Sequence, residues 1–160
     1  MLISRDREKL INAVVYFASN TRHCGKVKLF KLLYLLDFAH FRETGRSVTG
    51  LDYLAWKMGP VPFALMQEWD ELESDMAKAV SIVPEKVIDF IRERVVPNIA
   101  FDDSLFTRRE LRLMKEAGKY LHFGHHCPGA TTECSRIGTP VVWEAHREWC
   151  RGRSTNRAHS

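Results

Sequence analysis

The sequence predicts a mainly α-helical fold: a single compact helical domain around a central buried helix, with possible minor short strands. The first observation is the stretch Lys26–Thr44, in which apolar residues cover nearly every direction around a helix, as in a helix that other elements surround. It follows Gly25 and ends at Gly45, a residue type that readily takes the left-handed conformation beyond a helix end. The second observation is Thr107 with Glu110, the pattern of a capping box at a helix start.

Two further helices are predicted in the first half of the chain. Apolar residues at helical spacing follow Ser4, a suitable capping residue, and predict a first helix that packs on the central one. Gly59-Pro60 marks a turn, so residues 51–58 form one short element, either a strand or a helical turn. Residues 63–72 are predicted to form a helix, because Pro62 is compatible only with a first helical turn.

The second half of the chain is predicted to be helical with only minor strands. Pro84 and Pro97 bracket residues 85–96, which we interpret as a helix. The short apolar runs at residues 79–83 and 99–101 are possible minor strands. Three more helices are expected, at residues 107–120, near residues 131–136 and after residue 139.

Length and charge favour one nearly neutral domain. A chain of 160 residues fits a single domain, which we assign to residues 1–150. Residues 151–160 form a basic tail that is expected to be disordered, because it has no large apolar residue to bury. Its arginines, Arg151, Arg153 and Arg157, supply three of the four formal net positive charges. The remaining body therefore lacks the basic face expected of a DNA-binding domain.

The N-terminal sequence has no apolar run suited to a signal peptide, which predicts a cytoplasmic protein. The central stretch is interrupted by charged residues and is not expected to cross a membrane. The four cysteines are then expected to be free thiols rather than disulfides. They are Cys24, Cys127, Cys134 and Cys150.

Two groups of residues could carry chemistry. Metal-capable side chains are concentrated between His122 and Cys134, but the cluster lacks the paired C-x-x-C spacing of zinc sites, so no metal and no cofactor are predicted. Asp37 and His40 are neighbours on the central helix and could form an acid–base pair. A satisfied polar pair inside the core is the favoured interpretation, since no serine or cysteine completes a triad.

One edge of the central helix is a candidate contact surface for a protein. Its residues are Lys28, Lys31, Leu35 and Arg42, here called the basic stripe. An apolar residue among cations resembles the organisation of interfaces, with an apolar centre and a polar rim. The alternative is that the lysines are solvated and Leu35 packs under the C-terminal helix. We add the loop Lys57, Met58, Gly59 and Pro60 to this predicted contact surface.

Three segments resemble the Panacea antitoxin-domain family of bacteria and their phages. Residues 28–34, KLFKLLY, are similar to the leucine-rich opening of the family, and residues 55–61, AWKMGPV, to its A-W-x-x-G-P-V block. The third, weaker segment spans residues 132–143, where Arg136 stands in place of the expected histidine. Leu32, Leu33, Tyr34, Trp56 and Trp143 are the structural residues of these motifs. We expect Trp56 to be largely buried against the central helix.

The resemblance implies a mainly helical, non-enzymatic antitoxin that neutralises a cognate protein toxin, encoded nearby, by direct binding. Two alternatives remain. One is a DNA-binding regulator of winged-helix type, against which the charge distribution argues. The other is a metal-dependent enzyme that uses the His122–Cys134 cluster, against which the ligand spacing argues.

Overall fold

A computed structural model describes residues 5–56 and 59–122. In this part of the chain, five helices combine with two antiparallel hairpins, so the fold is mixed α/β rather than mainly helical. The elements are α1 (Arg5–Asn20), α2 (Lys26–Thr44), β1 (Tyr53–Trp56), β2 (Gly59–Pro62), α3 (Phe63–Gln67), α4 (Ser74–Ala79), β3 (Val80–Val87), β4 (Phe90–Pro97), a 3₁₀ turn (Asp103–Leu105) and α5 (Arg108–His122).

Helix α2 is the centre of the fold, as predicted. Leu29, Leu32, Leu33 and Leu36 on this helix are fully buried, and α1, α5, β2 and β4 all pack against it. The helix ends at Gly45, whose φ of 74° is left-handed and whose N–H donates to the carbonyl oxygen of Phe41. A helix surrounded on several sides explains why its sequence is apolar almost all round.

The predicted first helix and the predicted helix over residues 107–120 are both present in the structure. Helix α1 covers the predicted first helix. The capping box at the start of α5 is confirmed: the Thr107 N–H donates to Glu110 Oε2 at 2.7 Å, and the Glu110 N–H donates to Thr107 Oγ1 at 3.2 Å. Glu110 also accepts a hydrogen bond from Lys9 Nζ at 2.7 Å, which joins α5 to α1.

The predicted helix over residues 85–96 is wrong. Strands β3 and β4 form a hairpin there, with Val80 opposite Pro97 and Val87 opposite Phe90 around the two-residue turn Ile88-Asp89. Valine and isoleucine recur along both strands and favour the pleated surface of a sheet. The predicted minor strand at residues 79–83 is confirmed as the start of β3, whereas residues 99–101 belong to no strand.

The two edges of this hairpin differ. The N–H of Val95 donates to the carbonyl oxygen of Cys24 at 2.9 Å, so β4 lies against the loop between α1 and α2. Strand β3 has no further strand beside it among residues 5–56 and 59–122. The Val95 N–H points away from β3, so Val95 and its partner Ile82 form a pair whose backbone N–H groups face outward. This direction repeats every second residue, and Pro84 lies two residues after Ile82, so the ring nitrogen of Pro84 also faces outward. Proline in this position removes a donor from the free edge.

The helix predicted over residues 63–72 is shorter in the structure and ends at Gln67. The chain then turns so that Trp69 packs its ring edge-on against Phe30, with 5.2 Å between ring centroids. Its Nε1 donates to Glu93 Oε2 at 2.8 Å. The helix therefore ends early, and the turn that follows it lets Trp69 be buried between α2 and β4. In the described part of the chain, no helix is long and apolar enough to cross a membrane.

Candidate docking surface

A buried carboxylate organises the connection from α2 to the first hairpin. Asp37 Oδ1 accepts the backbone N–H groups of Val48 and Thr49, each at 2.8 Å. Its Oδ2 accepts the hydroxyl of Tyr53 at 2.7 Å and that of Thr49. Burial raises the pKa of Asp37, although these four donors favour the ionised form. Asp37 thus fixes the start of β1 on the central helix; we call these contacts the Asp37 clasp.

The Asp37 clasp determines which face of β1 points toward the core. Tyr53 is buried, and its ring meets Tyr34 of α2 edge-on with 5.3 Å between centroids. Because side chains alternate along a strand, Leu54 and Trp56 then lie on opposite faces from Tyr53. The register places Leu54 opposite Val61 and Trp56 opposite Gly59. Leu54 and Trp56 therefore share one exposed face, which we call the hairpin patch, whereas Val61 is half-buried and packs against the core.

Trp56 is 53% exposed, so the prediction that it is largely buried against the central helix is wrong. The inward positions of this hairpin are taken by Tyr53, Pro60 and Pro62, all of them buried. Trp56 lies on the opposite face of the strand from Tyr53, which explains its exposure. Gly59, opposite Trp56, has a φ of 119°, a backbone conformation that favours glycine.

The residues of the basic stripe lie on α2 but differ in their surroundings. Lys28 Nζ donates to the carbonyl oxygen of Arg22 at 2.8 Å, and Arg42 is exposed. Lys31 is half-buried, and Leu35 is half-buried and packs against the core. In the predicted contact loop, Gly59 is half-buried and Pro60 is buried, while Lys57 and Met58 lie outside the described residues.

The remaining predicted motif residues fall into two groups. Leu32, Leu33 and Tyr34 are buried on α2, as structural residues should be. Trp143 and Arg136 lie outside the described residues, and so do His125, His126, Cys127, Cys134 and Cys150. Among residues 5–56 and 59–119, whose side chains the structure describes, no three histidine, cysteine, aspartate or glutamate side chains come together to hold a metal ion.

Asp37 and His40 are both buried, but they do not work as a pair. The hydrogen bonds of Asp37 all go to the clasp, whereas His40 Nδ1 lies 2.7 Å from the carbonyl oxygen of Arg46. Its Nε2 lies 3.9 Å from Glu110 Oε1. Each group thus has its own partners, and the arrangement is that of satisfied polar groups in a core.

The hairpin patch was missed by sequence reasoning, which placed the contact centre at Leu35. The available signal was the alternation in Asp52-Tyr53-Leu54-Ala55-Trp56, which puts Tyr53 and Trp56 on opposite faces of a strand. The sequence does not say which of the two faces points inward. That choice depends on the contact of Tyr53 with Asp37, sixteen residues away.

The fold and this surface define a small mixed α/β domain in which a buried helix supports an exposed aromatic hairpin. Residues 29–116, more than half of the chain, match the family described as antitoxin SocA-like, Panacea domain. The chain therefore belongs to this family, which confirms the resemblance found in its motifs. The matched range begins on α2 and ends on α5, so it includes both hairpins. Comparison with curated proteins and with solved structures gave no match.

Proposed function

We propose that this protein is the antitoxin of a toxin–antitoxin pair and neutralises a cognate protein toxin by direct, stoichiometric binding. Membership of the antitoxin SocA-like family supports this role. The main support for the docking site is the exposure of Trp56, a large apolar side chain on a hairpin that the Tyr53–Asp37 contact attaches to the core. Exposed tryptophan is enriched among the residues that dominate binding energy at protein interfaces.

The hairpin patch is prepared for binding by its attachment to the core. Tyr53 locks β1 to Asp37, and the prolines of β2 are buried beneath the patch. A surface that is already ordered loses little conformational freedom when it binds. Leu54 beside Trp56 is 39% exposed and adds apolar contact area to the same face.

The basic stripe is assigned a supporting role in docking. Leu35 packs against the core, so Trp56 is the better apolar anchor for a partner. Lys28, Lys31 and Arg42 are expected to act as rim cations that attract an acidic partner surface. Rim charges mainly change the association rate and its salt dependence, whereas a central anchor changes the dissociation rate.

The test is co-expression with the product of the adjacent gene, followed by affinity pulldown and growth measurement. We expect rescue from toxicity only when the antitoxin is at least equimolar with the toxin, together with a stable complex. Rescue at strongly substoichiometric levels without a complex would indicate an enzyme and contradict the proposal.

Trp56→Ala locates the docking site, with Phe90→Ala as its matched control. Both are exposed aromatic residues on strands, but Phe90 lies on the other hairpin and is 59% exposed. Trp56→Ala is expected to raise the dissociation rate of the complex by about 30-fold or more, as for a hot-spot residue. Phe90→Ala should leave that rate within about threefold, as for a residue outside the interface. Equal effects of the two variants would place the docking site elsewhere.

A further inference from the structure

The tip of the β3–β4 hairpin exposes large apolar side chains to the solvent. Ile88 in the turn is 94% exposed, and Ile91, which shares a face of the hairpin with Lys86 opposite it, is 71% exposed. Phe90 is 59% exposed but points to the other face, because successive side chains alternate along a strand. Contiguous exposed apolar residues of this kind mark sites of association, whereas single ones are normal. The hairpin patch of β1 and β2 is formed by different strands.

The free edge of β3 is unsuited to strand addition. Pro84 lies in the middle of that edge with its ring nitrogen facing outward, so a strand added there would lose a backbone hydrogen bond. Association at this hairpin therefore has to use the side chains at the tip rather than the backbone of the edge. This distinguishes face-to-face contact from extension of the sheet.

The tip carries charged residues of both signs, so the tips of two copies can present opposite charges to each other. Lys86 precedes the turn and Asp89 lies within it, and neither forms an ion pair or side-chain hydrogen bond with any described residue. The neighbouring Glu85 and Arg92 are already paired with each other. The tip thus carries one free cation and one free anion beside an apolar centre. A two-fold symmetric contact needs a surface of this kind, because the same patch meets itself and Lys86 of each copy can face Asp89 of the other.

We propose that the β3–β4 tip is a homodimer contact, in which Ile88 and Ile91 of two copies pack together and Lys86 pairs with Asp89 across the two-fold axis. Its neutral charge does not match a polyanion such as nucleic acid, which requires a basic face. Stable dimers usually bury about 800 Å² on each partner, and a single hairpin tip supplies less. The dimer is therefore weak and concentration-dependent. The inference does not depend on the proposed function.

The test is sedimentation equilibrium of the full chain at concentrations up to about 1 mM, the range in which an interface of this small size class is measurable. We expect a monomer–dimer equilibrium. Ile88→Asp and Ile91→Asp should each weaken the dimer at least about tenfold, because they bury a charge without a partner. Trp56→Ala should leave the dimer unchanged. Circular dichroism of each variant checks that the fold is intact.

A charge exchange identifies the two-fold contact itself. Lys86→Glu and Asp89→Lys should each weaken self-association about tenfold, because like charges then face each other twice. An equimolar mixture of the two variants should dimerise about as tightly as the parent, since every pair across the axis is again of opposite sign. A parent chain that stays monomeric throughout, or single variants that dimerise like the parent, would overturn the proposal. So would a mixture that associates no better than its components.

Discussion

Asp37 shows how one side chain can determine the conformation of a loop. Its four hydrogen bonds satisfy two backbone N–H groups and two hydroxyls of a connection that would otherwise leave these donors buried and unpaired. Asparagine has nearly the same shape, and its NH₂ group could donate to the two hydroxyls, which accept as well as donate. It would lack the negative charge that strengthens all four hydrogen bonds of the carboxylate.

Asp37→Asn is expected to lower the free energy of unfolding by about 3 kcal/mol, because bonds to a charged acceptor are worth about 1.5–3 kcal/mol each. Denaturant titration measures this loss. Thr49→Val removes one hydroxyl donor and keeps both backbone bonds, so its effect should be smaller. A stability of Asp37→Asn equal to that of the parent would show that the clasp contributes little to the fold.

Trp56→Ala is expected to change the free energy of unfolding by less than about 1 kcal/mol, as for an exposed residue. Leu33→Ala is the comparison, since Leu33 is fully buried and large-to-small changes in a core cost about 2–5 kcal/mol. The two denaturant midpoints distinguish an anchor for a partner from a residue of the core. A Trp56→Ala midpoint as low as that of Leu33→Ala would make Trp56 part of the fold.

At the scale of elements, helices with local signals were predictable and the β3–β4 hairpin was not. Helices α1, α2 and α5 are marked by periodicity, by Gly45 and by the Thr107–Glu110 box, all of which act within a few residues. The hairpin is defined by pairing between strands and turns at Ile88-Asp89, a dipeptide without glycine, asparagine or proline. Pro84 and Pro97 were interpreted as the boundaries of a helix, but in the structure Pro84 lies inside β3 and Pro97 ends β4.

The proposed docking site was predictable only in part. Gly59 and Pro60 belong to the hairpin that carries the hairpin patch, so the predicted contact loop and the proposed site lie on the same hairpin. Which face of that hairpin is exposed depends on the Tyr53–Asp37 contact, a tertiary interaction that no local pattern encodes. The same contact puts Trp56 on the exposed face and so explains why the prediction that it is buried was wrong.

Arg7 joins α1 to the elements that follow β2. Its guanidinium contacts Glu68 at 2.9 Å and Asp75 at 2.8 Å. The hydrogen bond from Arg7 lowers the pKa of Asp75 to about 2. A carboxyl group with a depressed pKa stabilises the fold above its unfolded pKa of about 3.9, and this contribution is lost as the pH falls toward 2.

Arg7→Met should therefore lose less stability than the parent chain between about pH 5 and pH 2, because the Asp75 contribution is already absent. Urea titrations at several pH values measure the slope. Lys78→Met is the matched control: it removes a cation from α4 that forms no ion pair with the described residues. If Arg7→Met and the parent chain lose stability in parallel, the Arg7–Asp75 contact is not the source of the acid sensitivity.

At the scale of the whole molecule, the short basic tail is expected to be dispensable. Residues 151–160 contain three arginines and no large apolar residue, so they offer no anchor to a core or an interface. Removal of these residues should leave the unfolding transition and toxin binding unchanged. A salt-dependent complex with promoter DNA that the truncated chain cannot form would instead support the DNA-binding regulator.

The hydrogen bond from Val95 to the carbonyl of Cys24 also has a kinetic consequence. Cys24 is 2% exposed, and burial raises the pKa of its thiol to about 11, so a thiol reagent cannot reach it in the closed state. Modification requires the loop before α2 to separate from β4. In a chain with Cys127, Cys134 and Cys150 replaced by serine, the rate of thiol modification would therefore report how often the second hairpin opens. That opening free energy could be compared with the global one to show whether the hairpin unfolds first.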